Sequence, residues 1–400
     1  MDNITHSLVG AALAELAQPA TLTPRQRRVF ITAGVAAANL PDLDLVYTWI
    51  TPPPLGYLLH HRGHTHTVAG LAALALAVAL AFRAWPAGRE SLRNWPGRLW
   101  GVIAINLAGH VSLDAFNSYG VHPFYPFDAR WYYGDAVFIF EPLIWVLLGT
   151  AAACNARGRA PRTALGVVVT TLLVLVSVAG IVPVRAMAAV AVAGGLFFAA
   201  MRSARPRTRS VAALALTMLF MAGMSGLSRL AKSAARASMT GGADIVDVII
   251  APDPGMPVCW SVIVLARDPR IGELRTSRGT LSLGASWYPP DRCASYRLAG
   301  VASPGTRPAE KIAWRDDFRQ SLAELRDLSD RDCWVRAWLQ FGRAPVIRGG
   351  AIVDLRFESG VRGNFTAMPL ARDPGAGCPA NIPGWMMPRR DLVSPVQSPD

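Results

Sequence analysis

The sequence predicts an α-helical polytopic membrane domain of about eight membrane-embedded segments, followed by a small exported α+β domain. Three observations carry this. Hydrophobic residues make up 52% of the 400 residues and charged residues only 17%, against about 25% in an ordinary soluble domain. Of the 27 Asp and Glu, nine lie in residues 1–228 and eighteen in 229–400. All seven His fall between His6 and His122, so an acid-poor, His-bearing, apolar part precedes a polar, His-free one.

Crossing a bilayer takes about 20 helical residues. Runs 164–182 and 211–228 carry no charge, 67–82 is short but apolar, and 184–201 is interrupted only by Arg185. Runs 99–119 and 137–154 are apolar but hold His110, Asp114 and Glu141; run 29–50 holds Asp42 and Asp44. Run 4–22 is the weakest, with His6 and Glu15. No basic stretch precedes Ile4, so this run does not read as a cleaved signal peptide.

The net charge of +13 is mostly Arg, placed in short loops between apolar runs rather than along one stripe. That excludes a nucleic-acid-binding reading and fits a membrane protein. Basic loops alternate: Arg25, Arg27 and Arg28; Arg83, Arg89, Arg93 and Arg98; Arg157, Arg159 and Arg162; Arg202, Arg205, Arg207 and Arg209. The positive-inside rule puts these in the cytoplasm of a bacterial inner-membrane protein. The intervening loops, and the tail, are then periplasmic or extracellular.

The expected division is a membrane domain at 1–228, an exported α+β domain at 229–387 and a disordered end at 388–400. Strands are expected at 244–250 and 260–266, a helix at 316–326 with Phe318, Leu322 and Leu325 on one face, and a strand pair at 346–357 around Gly349 and Gly350. Cys259, Cys293, Cys333 and Cys378 all lie in the tail, where export predicts two disulfides with three possible connectivities. Cys154 stands apart.

Ionisable groups in membrane spans cost roughly 2.5–3.5 kcal/mol each on insertion scales, so Asp42, Asp44, Asp114 and Glu141 need partners. The segment Pro41-Asp42-Leu43-Asp44 ends one span, where Pro41 loosens the helix. His60-His61-Arg62-Gly63-His64-Thr65-His66 opens the next, and Gly63 permits a tight path on which imidazoles converge. His110 and Asp114 stand at i and i+4, on one helix face with Asn106 and Asn117. The Arg-based orientation brings these groups and His6 to one membrane level. Mixed imidazole and carboxylate donors suit a divalent metal, zinc first, with manganese, iron or nickel as alternatives and room for two ions. The expected ligands are His6, Asp42, His66, His110 and Asp114, with Asp44 and His61 as further ligands or partners to one. Asp44, where it is not a ligand, is expected to orient a water as general base; His64 is either an interfacial histidine or a proton shuttle; and Arg62 is expected to pair with an anionic group such as phosphate, or to anchor on a lipid headgroup.

These pieces, with Thr5-His6-Ser7-Leu8-Val9-Gly10, the run to Ser118-Tyr119-Gly120, Pro126-Phe127 and Phe140-Glu141-Pro142, resemble the YdjM-like membrane-bound metal-dependent hydrolases of bacteria over residues 1–150. The resemblance implies a membrane hydrolase. At the site level this means a lipid-borne ester or phosphoester, presented by membrane lipids and met by a metal-activated water. A metal-binding transporter, sensor or scaffold using the same ligands is the rival. The absence of an internal repeat and the polar residues gathered at one interface weigh against a transporter.

Overall fold

The computed structural model describes residues 1–239, 244–268, 270–293, 311–358, 363–372 and 377–393. Ten helices come first: α1 (Asn3–Ala17), α2 (Pro24–Asn39), α3 (Leu55–His60), α4 (Val68–Ala84), α5 (Pro86–Asn94), α6 (Pro96–Ala115), α7 (Pro142–Asn155), α8 (Arg159–Val178), α9 (Val184–Met201) and α10 (Pro206–Ala237). Each of the eight expected apolar segments contains a helix, but not all of these helices are long and apolar enough to span. Among the described residues, four helical stretches are long and apolar enough to cross a membrane, or five if the pair around His66–Val68, bent by 69°, is one span. Three helices fall short: α6, of 20 residues, is long enough but carries Arg98, His110 and Asp114, and α1 and α7 are short. The last two have 15 and 14 residues, about 21–23 Å of helix against a hydrocarbon core of about 30 Å. Helix α7 is apolar all round because Ile144, Trp145, Leu147 and Leu148 are buried among other helices, not because lipid surrounds it. Helix α8, by contrast, buries only Val176.

Small residues let α1 and α2 touch. A Cβ added to Gly10 would lie 2.7 Å from the Gly34 carbonyl oxygen, and one added to Gly34 2.5 Å from that of Gly10. The pair therefore packs backbone to backbone. This contact draws the His6 end of α1 against the Asp42 end of α2. Asp2 caps α1 by accepting from the Ile4 and Thr5 amides. Helix α2 stops at Asn39 because Pro41 lacks the amide the next turn needs, and a 3₁₀ segment, Leu40–Ile50, carries the chain on. At the other end the Arg loops brace one another: Arg27 pairs with Glu15 at 2.7 Å, Arg98 donates to the Ala17 carbonyl at 3.1 Å, and Arg209 donates to that of Cys154 at 3.1 Å.

The tail holds an antiparallel sheet of β1 (Asp244–Asp253), β2 (Met256–Asp268), β3 (Glu273–Ser282) and β4 (Ile312–Ser321), in that order. Then come α11 (Leu322–Arg331), α12 (Cys333–Leu339), a sheet of β5 (Pro345–Arg348), β6 (Ala351–Asp354) and β7 (Met368–Pro369), and α13 (Arg390–Val393). The expected helix at 316–326 is wrong in its first half. Phe318 belongs to β4, and the helix begins at Leu322, where the Ser321 hydroxyl accepts the Glu324 amide. The strand pair around Gly349 and Gly350 is present; both glycines take positive φ, 54° and 73°, as a two-residue hairpin turn requires. Of the 388–400 stretch, Arg390–Val393 is a helical turn with Leu392 buried, and 394–400 lies outside the described residues. Cys259 bonds to Cys293 and Cys333 to Cys378; Cys154 is a free thiol.

Alternation along β1 and β2 sets how the sheet docks. Val248, Ile250, Val262 and Val264 join the core of α7 and α10, while Ile249, Ile263 and Leu265 join a second core with Trp338 and Phe341 that covers α3. The tail thus sits directly on the helices. Arg343, held within the tail by Asp247 at 2.8 Å, ties it down by an ion pair to Asp135 at 2.9 Å, and the Trp385 indole donates to the Leu59 carbonyl at 2.7 Å.

Candidate metal centre

Four elements supply one cluster: α1 brings His6, the 3₁₀ segment Asp42, the turn His64–His66 brings His66, and α6 brings His110 and Asp114. One donor atom from each of Asp42, His66, His110 and Asp114 lies within 4.8 Å of the others. The separations are even. His66 Nε2 is 3.1 Å from His110 Nε2 and 3.4 Å from Asp114 Oδ2; His110 Nε2 is 3.5 Å from both Asp42 Oδ1 and Asp114 Oδ2. His66 Nε2 to Asp42 Oδ1 is 3.7 Å. His6 Nε2 stands 3.4 Å from Asp114 Oδ1, with its ring stacked on His110 at 3.8 Å.

Most of these distances exceed the usual 2.7–3.2 Å of a hydrogen bond. They match donors arranged around a small cation: ligands about 2.0–2.2 Å from a tetrahedral ion stand about 3.3–3.6 Å apart. Both His6 nitrogens are buried without a hydrogen-bond partner, and the Asp114 oxygens meet cationic partners, Oδ2 facing Arg62 Nε at 3.0 Å. Leaving buried imidazole nitrogens unsatisfied is costly unless something binds them. The donor set therefore fits a metal. The Met1 amino group also lies against Asp114 Oδ1.

The backs of the imidazoles are fixed. His110 Nδ1 is 2.7 Å from the Ala38 carbonyl oxygen, which only accepts, so Nδ1 carries the proton and Nε2 presents its lone pair inward. His66 Nδ1 faces Asp44 Oδ2 at 3.2 Å and does the same. Asp44 is fully buried and fully engaged: Oδ2 also accepts the Arg62 amide at 2.8 Å and the Thr65 hydroxyl at 3.0 Å, while Oδ1 faces His61 Nδ1 at 3.1 Å. The structure thus places Asp44 against the Nδ1 atoms of His66 and His61, as a partner to these imidazoles. Asp42, Asp44 and His61 do form a second group close enough to share an ion, with Asp42 common to both.

Arg62 differs from expectation. It adopts φ 58°, uncommon for a residue other than glycine, and is buried. Its Nε is 3.0 Å from Asp114 Oδ2, its Nη1 donates to Asn117 Oδ1 at 3.0 Å, and its guanidinium covers the Tyr119 ring at 4.7 Å. Arg62 therefore holds Asp114 in place instead of reaching outward for an anion. His64 is exposed and packs on Trp385 at 4.9 Å, away from the cluster. Glu141 accepts the Gly255 amide at 3.1 Å, in an apolar cavity between α7, α9 and α10, and joins neither group.

Sequence reasoning missed the tail's part. The described tail supplies no donor to either group, yet its Trp385 clamps α3 just before His61. Arg356, paired with Asp354 at 2.8 Å, donates to the Ser118 carbonyl at 2.8 Å, beside the Asn117 that anchors Arg62. Trp385 also lies against His122, with ring centroids 3.8 Å apart. Burial lowers the His122 pKa to about 3, helped by His66 and His64.

The cluster's donors all fall within a segment that has known counterparts. Residues 1–184 match the YdjM inner membrane protein family. The match extends the resemblance beyond residue 150 and stops before the tail. A Bacillus subtilis (strain 168) relative, described as uncharacterized protein YfhP, is 28% identical over 165 residues, 40% of this chain and 48% of the relative. The alignment thus spans about half of that relative. No solved structure matches the chain. The YdjM segment carries every ligand candidate, and the chain is a membrane protein with a candidate Asp/His metal centre.

Proposed function

We propose that this protein is an inner-membrane metal-dependent hydrolase acting on a lipid-borne ester or phosphoester at the outer face of the membrane. The observation that supports it most is the convergence of Asp42, His66, His110 and Asp114, with the Nε2 lone pairs of His66 and His110 turned inward and His6 Nε2 3.4 Å from Asp114 Oδ1. A divalent ion held there, zinc by preference, supplies Lewis acidity and a water of lowered pKa.

The chain's own residues do the rest. Ala38, Asp44 and Thr65 hold the His110 and His66 Nδ1 atoms so that no rotation is needed to present Nε2. Arg62 and Asn117 hold the Asp114 carboxylate. Asp42 is the least buried ligand, 9% exposed against 1% or less for the others, so the centre opens on its side. Asn3 donates to its Oδ2 at 3.0 Å. Beside Asp42 the 3₁₀ segment exposes Leu43, Leu45, Val46 and Trp49. An exposed apolar rim next to a polar centre suits a substrate that stays in the lipid while its ester reaches the ligands.

The test combines metal stoichiometry by mass spectrometry with hydrolysis of ester and phosphoester lipids by the full-length protein. His110→Ala and Asp114→Ala should lose metal and activity together. Metal-loaded wild type that cleaves neither lipid class, or full occupancy in both variants, would overturn the proposal.

A further inference from the structure

From the basic end of the helices inward, as far as Ser7 next to His6, α1 and α2 part from α7 and α8. A groove of about 700 Å³ lies between them, within the usual 300–1,000 Å³ of ligand sites. Its walls are apolar: Leu8 and Ala11 from α1, Ile31 and Val35 from α2, Leu148 from α7 and Leu165 from α8. Lining residues run from Ser7 to Glu15 along α1. Eight helical residues rise about 12 Å, close to the roughly 15 Å depth of one bilayer leaflet.

The mouth is basic. Arg27, Arg28 and Arg157 all line it. Arg27 is already neutralised, paired with Glu15 at 2.7 Å and donating to the Asn155 carbonyl at 3.0 Å. Arg28 and Arg157 are exposed, and among the described residues neither has an acidic partner. Two free guanidinium forks thus sit at the interfacial end of an apolar slot one leaflet deep. Planar forks of this kind bind phosphate bidentately, and basic pockets between membrane helices recruit anionic headgroups.

We infer that this groove is a binding site for a phospholipid with a net negative headgroup, drawn from the leaflet at the basic end of the helices. One acyl chain lies along Leu8, Ala11 and Leu148, and the phosphate sits between Arg28 and Arg157. The site is independent of the hydrolase reading, because it shares no ligand residue with the metal centre.

Native mass spectrometry of the full-length, metal-loaded protein tests it, with phosphatidylglycerol, phosphatidylcholine and inorganic phosphate as probes. One equivalent of phosphatidylglycerol should bind in clear preference to phosphatidylcholine, and inorganic phosphate should not displace it. Arg28→Gln/Arg157→Gln should weaken phosphatidylglycerol about thirtyfold, from the effect of two basic groups near a membrane surface. Ala11→Phe should weaken both lipids by filling the slot. Metal content should stay unchanged in each. Arg89→Gln/Arg93→Gln, which removes equal charge from the same end of the helices, should leave binding intact. Unchanged affinity in Arg28→Gln/Arg157→Gln, equal loss in Arg89→Gln/Arg93→Gln, or displacement by inorganic phosphate would overturn the inference.

Discussion

Replacing Asp44 by Asn separates an orienting carboxylate from a ligand or a base. In the structure Asp44 Oδ2 takes the Arg62 amide at 2.8 Å, the Thr65 hydroxyl at 3.0 Å and His66 Nδ1 at 3.2 Å, and Oδ1 faces His61 Nδ1 at 3.1 Å. In Asp44→Asn the side-chain amide oxygen must stay with the three donors, so its NH₂ turns toward His61. The His66 contact survives but loses its charge, and charge-assisted hydrogen bonds are about twice as strong as neutral ones. His66 then presents a weaker, less firmly held Nε2. Loss of such an outer partner typically costs 10–100-fold in metal affinity, or about 1.4–2.7 kcal/mol. Zinc competition against a fluorescent chelator, on detergent-purified protein, measures this directly. Asp114→Ala in the same assay should abolish binding, because it removes the carboxylate that faces His6, His66 and His110. Wild-type affinity in Asp44→Asn would refute the orienting role. A loss equal to that of Asp114→Ala would make Asp44 a ligand, in the second group with Asp42 and His61.

Reporter fusions after Arg93, Arg159 and Arg207 should read cytoplasm and one after Gly279 periplasm; in the same cells Cys259, Cys293, Cys333 and Cys378 should resist alkylation until reduced, and a cytoplasmic signal at Gly279 would reverse the orientation. Arg343→Leu leaves buried Asp135 with Lys232 alone, at 2.7 Å, and strips Asp247 of its 2.8 Å partner. Breaking a buried pair costs about 3–5 kcal/mol, so thermal unfolding should shift down markedly; an unchanged midpoint would show that the tail does not depend on this anchor. His122 is buried neutral, with a pKa lowered to about 3 from the ordinary 6.5. Between those values the unfolded chain takes up a proton that the folded one refuses, so stability is present above pH 6.5 and falls as pH drops below it. With metal chelated, wild type should lose about 2 kcal/mol more than His122→Gln between pH 7 and pH 5; parallel pH profiles would place the titration elsewhere.

What the sequence made legible, and what it did not, follows from the range of the forces involved. The convergence of Asp42, His66, His110 and Asp114 could be anticipated because Asp and His are expensive in apolar runs and an i, i+4 pair fixes a helix face without tertiary knowledge. The apolar runs could be read as helices, but not as spans. A helix buried by protein and one bathed in lipid have the same composition, and only packing shows that Trp145 and Leu148 of α7 face other helices. The division at 316–326 was hidden because Phe318, Leu322 and Leu325 suit a helix face as well as a strand running into a helix; the Ser321 cap and pairing with β3 decide it. Roles within the site were the least legible. Asp44 and Arg62 have the residue types of a base and an anion binder, but function depends on which of their atoms are already engaged. The partners come from the chain's own turn at Arg62–His66 and from α6 and the residues just after it, more than 50 positions away in sequence. A carboxylate whose Oδ2 takes three donors and whose Oδ1 faces an imidazole holds neighbours in place, and a guanidinium paired with the Asp114 carboxylate fixes that carboxylate. The tail extends the same logic one layer out: its described residues bring no donor to the cluster, yet Trp385 and Arg356 fix the two segments, before His61 and after Asp114, on which the cluster geometry rests. Metal affinity should therefore respond to Trp385→Ala, a substitution in a domain the family match does not cover.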